Sequence, residues 1–121
     1  MYVEQERPTV KIFFRDGARA AELLRHVGYG LEEEGIPFEA TAAEEPKAAA
    51  ELAWEASHAS QMEVGIGIDS EHVALHYAKL PKGRPLFKIS VRSGEEPLRT
   101  IGTNAGRLVK KLPLKIAEGS N

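Results

Sequence analysis

EVGIGIDSEHVALHYAKL, running from Glu63 to Leu80, is the stretch whose reading decides the fold. Glu63 to Ile68 is apolar and partly β-branched and reads as a strand. Asp69 and Ser70 make a tight turn, and His72 to Leu80 returns as a second strand, antiparallel to the first. Gly65-x-Gly67 would open a dinucleotide-binding loop only if a third glycine and a helix followed directly. A turn and another strand follow instead, so no phosphate cradle is expected, and the two glycines point to close backbone approach within a packed strand. His72 and His76 are four residues apart. In a strand they share a face but stand about 13 Å from each other, so no zinc site is expected.

Upstream of this hairpin the pattern alternates between strand and helix. Thr9 to Arg15 (TVKIFFR) is a strand whose continuous apolar middle suits the centre of an α/β sheet. Asp16 follows as a candidate N-cap. Ala20, Leu23, Leu24, Val27 and Leu31 recur at spacings of three and four, as on one face of a helix that ends near Gly35 with Pro37 beyond it. Pro37 to Ala43 reads as a short strand. Glu44, Glu45 and Pro46 begin a second helix with a small-residue face of Ala48, Ala49, Leu52, Ala53 and Ala56. Downstream, Leu86 to Arg92 is a fifth strand. Leu98, Ile101, Gly102, Ala105, Leu108, Val109 and Leu112 line one face of a last helix, ended by Pro113. The whole is expected to be one α/β domain over residues 1–121, with an ordered core at 8–114 and flexible ends at 1–7 and 115–121.

Composition narrows the function. The chain has 121 residues, a formal net charge of −2 and no cysteine. There is no thiolate zinc site and no thiol nucleophile. The near-neutral balance lacks the basic field of a non-specific nucleic-acid binder, and no apolar stretch approaches the roughly 20 residues that span a bilayer. No serine sits in a nucleophile elbow, and His26 and His58 read as structural or surface histidines. A non-enzyme is therefore expected, in the cytoplasm. The charge is uneven: Leu31 to Glu63 holds nine Glu against Lys47, whereas Pro97 to Asn121 holds five basic residues against Glu118.

Two local anomalies stand out. Glu32, Glu33 and Glu34 occupy the last turn of a helix, where the dipole favours cations. Either they are simply solvated, or a cation or a basic surface compensates them. Gly102 and Gly106 lie one turn apart in the last helix, where each costs about 1 kcal/mol relative to alanine. They permit close contact with a strand, a helix or a partner, and Asn104 between them is placed to hydrogen-bond into that contact.

Three blocks, in order, resemble a known family. They are Gly28-Tyr29-Gly30-Leu31-Glu32-Glu33-Glu34-Gly35-Ile36-Pro37, then Val64 to Ile68 with Ala74 to Pro81, then Leu98 to Lys110 with Leu112-Pro113-Leu114. Together they are similar to the small subunits of reactivating factors for coenzyme B12-dependent diol and glycerol dehydratases, from about Val10 to Leu114. The resemblance implies a three-layer α/β/α fold with a mixed five-stranded sheet, like anticodon-binding domains. It implies a chaperone-like complex whose large subunit hydrolyses ATP to release damaged cobalamin from an inactivated dehydratase. On that resemblance, subunits would exchange between the two assemblies. This chain would bind no cofactor alone. Glu33 would help ligate a divalent cation, Mg or Ca, at the large-subunit interface, which would also draw on Glu32, Glu34, Arg99 and Asn104. The faces that would meet the large subunit could pair as a homodimer in isolation, and a cytoplasmic location is expected that can include a bacterial microcompartment. The alternative is the medium subunit of the dehydratase itself, expected to carry a longer N-terminal extension.

Overall fold

In the computed structural model, which describes residues 7–116, five strands form a single sheet in the order β2-β1-β3-β4-β5. The elements are β1 (Val10–Phe14), α1 (Ala20–Glu33), β2 (Phe38–Ala42), α2 (Ala49–Ala59), β3 (Val64–Ile68), β4 (His72–Tyr77), β5 (Phe87–Ser90) and α3 (Glu95–Lys110). β1 pairs in parallel with β2 and β3, and the rest of the sheet is antiparallel. Steps from β1 to β2 and from β2 back past β1 to β3 run in opposite directions. Right-handed crossovers therefore put α1 and α2 on opposite faces, which gives the three layers. Among the described residues no helix is long and apolar enough to cross a membrane.

The two faces are packed differently. Val10 and Ile12 of β1, Val64, Ile66 and Ile68 of β3, and Val73 and Leu75 of β4 meet Leu23, Val27 and Leu31 of α1 and Leu98 and Ile101 of α3 in the main core. The alternate residues face α2, where Ala49, Ala53 and Ala74 form a separate small-residue cluster. A Cβ on Gly65 would lie 2.1 Å from the Ser57 nitrogen, and one on Gly67 would lie 2.1 Å from the Ala49 carbonyl oxygen. The glycines of the deciding hairpin thus let α2 lie directly on the sheet, in place of cradling a phosphate. His76, opposite Gly65 in the ladder, is fully buried; its Nδ1–H donates to the Tyr77 carbonyl at 3.0 Å.

Several boundaries differ from expectation. Asp16 does not cap α1: its Oδ1 accepts from Gly17 N–H at 3.0 Å, and the residue before the helix, Arg19, makes no side-chain cap. α2 begins at Ala49, past Glu44–Pro46. Its cap comes from a distance, since Asp69 Oδ2 accepts the Ala49 N–H at 2.8 Å while Oδ1 accepts those of Glu71 and His72 at 2.7 and 2.6 Å. Burial works to raise the Asp69 carboxyl, but the three backbone donors outweigh it and hold the group below its ordinary value. β4 stops at Tyr77, where Leu80 N–H turns back to the Tyr77 carbonyl. α3 stops before Pro113, at a left-handed Lys111, and Leu112 is exposed. The expected flexible ends lie largely outside the described residues. Lys115 is described, and it is held.

Candidate partner-binding face

α1 and α3 share one face of the sheet because each carries a glycine where they cross. A Cβ on Gly30 would come within 2.0 Å of the Arg99 carbonyl oxygen, and one on Gly102 within 1.9 Å of that of Val27. Of the contacts the glycine spacing allowed, the structure selects helix on helix. This crossing brings Arg99, at the start of α3, beside the end of α1.

There Tyr29, Glu32, Glu33 and Arg99 line one shallow open hollow. Tyr29, Glu32 and Glu33 stand at i, i+3 and i+4 on α1 and so share a face. Arg99 Nε lies 3.8 Å from Glu33 Oε1, with both side chains about half exposed, so the pair is a solvated one of little stabilising effect. The hollow runs into a second one that adds Glu95, Glu96, Thr100, Thr103 and Lys115. His26, 8% exposed, has its Nε2 3.9 Å from Glu95 Oε1.

Glu34 has a different role from its two neighbours. Gly106 leaves room for it, since a Cβ there would meet the Glu34 Cβ at 2.6 Å. Its side chain turns inward onto α3, where Lys110 Nζ sits 2.7 Å from Oε1 and Arg107 Nε 3.5 Å from Oε2. Lys110 also donates to the Glu34 carbonyl at 2.9 Å. The Lys110 hydrogen bond, seconded by Arg107, overcomes partial burial and holds the Glu34 carboxyl below its ordinary value. The compensating cations of the acidic helix end therefore come, for Glu34, from the chain's own last helix.

Asn104 is 1% exposed and faces no solvent. Its Nδ2 donates to the Lys115 carbonyl at 2.9 Å and its Oδ1 accepts the Lys115 N–H at 2.7 Å, so it clamps the strap that follows α3. Of the residues singled out in sequence, the fold gathers Glu32, Glu33 and Arg99 on one surface and turns Glu34 and Asn104 to internal work. Tyr29, 42% exposed, joins the surface; its spacing from Glu32 and Glu33 was the signal that identifies it. Lys115 joins through Asn104, and no local pattern announces that.

The face does not make a cation site by itself. Among the described residues no three His, Cys, Asp or Glu side chains are grouped to hold a metal ion. Hard divalent cations take six or more oxygens, more than Glu33 and its neighbour Glu32 would offer from this face.

Residues 7–115 match the model of the dehydratase medium subunit family. The chain is 36% identical over 107 residues to a probable glycerol dehydratase-reactivating factor small subunit of Citrobacter freundii, covering 88% of this chain and 92% of that protein. A solved glycerol dehydratase reactivase superposes with a TM-score of 0.87 at 37% identity, over 91% of this chain and 98% of that one. A diol dehydratase-reactivating factor solved with ADP and Mg2+ gives 0.83 at 35% identity, over 92% and 100%.

Proposed function

The chain belongs to the dehydratase medium subunit family, and from that premise we propose that it is the small subunit of a reactivating factor for a coenzyme B12-dependent diol or glycerol dehydratase. The observation that carries this reading is the match over 92% of a reactivating-factor small subunit. On this reading the chain is non-catalytic and works in the cytoplasm by binding. A large subunit hydrolyses ATP, damaged cobalamin leaves the inactivated dehydratase, and this chain passes between partners through the Tyr29–Glu32–Glu33–Arg99 face. A half-exposed tyrosine beside paired charges suits such a contact, because the ring gives area at low entropic cost and the charges give orientation.

Glu33 would hold a Mg2+ or Ca2+ ion at the large-subunit contact with one carboxylate, and the ion's charge would offset the repulsion among the acidic groups there. Copurification from the native operon tests the assembly: the chain is expected to bring down an ATPase large subunit, and failure to bind it in any nucleotide state overturns the reading. Recovery as a permanent component of an active dehydratase would favour the medium subunit, the reading that the family's name supports. Glu33→Gln should weaken large-subunit binding or remove its dependence on divalent cation. Equal affinity of wild type with and without chelator would remove the ion from the account.

A further inference from the structure

α3 ends in a left-handed residue, Lys111, that turns the chain back along the helix it has just left. The strap that follows, Leu112–Ile116, runs antiparallel to α3: Pro113 lies by Arg107, six residues back, and Lys115 by Asn104, eleven back. Little apolar surface holds it there. Leu112 and Ile116 are exposed, at 47% and 73%, and of the five strap residues Leu114 alone is partly buried. The bond from Arg107 Nη1 to the Pro113 carbonyl is long, at 3.4 Å. The Asn104 amide makes two shorter bonds, one to each polar group of the Lys115 backbone.

Asparagine disfavours the middle of a helix, and a buried amide disfavours a core unless both its ends are paired. Asn104 is 1% exposed beside the core residue Ala105, and what it holds is the backbone of one strap residue. An apolar side chain there would fix the strap by burial. A hydrogen bond acts differently, because water replaces it once the segment lifts and its net hold is small. Segments with few buried apolar contacts are the ones that open without global unfolding. Lys115 moves with the strap, and it lines two hollows: the polar one with Glu33 and Glu95, and an apolar one with Phe87 and Ile89 of β5.

We propose that Leu112–Ile116 is a latch that opens as a unit while the rest of the domain stays folded, with the Asn104 amide as its catch. Opening withdraws Lys115 from both hollows and gives the Asn104 amide to water; closing restores the two bonds. The device needs no ligand and does not depend on which partner the chain binds.

Hydrogen exchange of the full chain, read residue by residue by NMR in water and in low denaturant, tests it on the wild type and on Asn104→Ala. The Lys115 amide is expected to be protected, yet to exchange at a rate that low denaturant leaves unchanged, because a local opening exposes little surface. The amides of β3 are expected to exchange by global unfolding and so to speed up with denaturant. Asn104→Ala is expected to cut the protection of Lys115 roughly tenfold to a hundredfold, as the loss of two hydrogen bonds implies, with β3 still protected. Lys115 exchange that follows denaturant as β3 does overturns the latch, since strap and domain then open together. An unprotected Lys115 in the wild type overturns it too, because nothing then holds the strap closed. Protection that survives Asn104→Ala overturns the role of Asn104 as the catch. If the variant fails to fold, the denaturant series on the wild type decides.

Discussion

A methyl group on Gly102 would be 1.9 Å from the Val27 carbonyl oxygen and 3.0 Å from the Leu31 nitrogen, both backbone atoms of α1. Backbone cannot swing aside as a long side chain can, so the two helices would have to separate. Gly102→Ala is expected to cost about 2–3 kcal/mol of stability despite the better helix propensity of alanine, read as a lower denaturation midpoint. A loss below about 0.5 kcal/mol would show that the crossing is loose. Glycine spacing made close contact legible in the sequence, but which surface it would meet was not, because that depends on where two crossovers place α1 and α3. The glutamates show the same limit. Three adjacent carboxylates look alike in one dimension. A turn of about 100° per residue separates Glu34, folded onto Gly106, from Glu32 and Glu33, left in the open hollow beside Tyr29 and Arg99.

At the scale of elements, strand and helix order was legible because period-two and period-3.6 patterns survive in each segment. The boundaries that moved are those set by something remote or by backbone handedness. α2 lacks a local cap; Asp69, twenty residues onward, supplies it. The end of α3 is a Schellman turn, with Lys111 N–H bonded to the Leu108 carbonyl and Leu112 N–H to that of Arg107, and a lysine holds the left-handed position. At the end of α1 the same bonds are made with glycine in that position, Gly35. Lys111 has φ 59°, which a Cβ resists, so Lys111→Gly should raise stability by about 0.5–1 kcal/mol. A rise in melting temperature checks this, and an unchanged or lower one would mean that the lysine side chain has a compensating contact.

At the scale of the molecule, the acidic middle and the basic end of the sequence prove to be neighbours. Glu34 and Glu33 meet Lys110, Arg107 and Arg99 across the α1–α3 contact, so part of the charge contrast is satisfied within the fold. Two carboxylates with lowered pKa hold the layers, Asp69 on the α2 side and Glu34 on the other. A carboxyl that is more acidic folded than unfolded stabilises above its unfolded value, and the benefit fades as pH falls through the folded one. Stability should therefore drop as pH falls below the ordinary carboxylate range, and Asp69→Asn should flatten that drop while lowering stability at neutral pH. Denaturant titrations across the range check both, and an unchanged acid slope in the variant would exclude Asp69 as a source. The unequal packing of the two sheet faces reaches further, into which sequences can descend from this one. Against α1 and α3, drift is filtered by lost volume, and an exchange among Val, Ile and Leu is a small step. Against α2 it is filtered by added volume: at Gly65 and Gly67 there is no larger residue to step to, and that side of the lineage can change only where helix and strand change together.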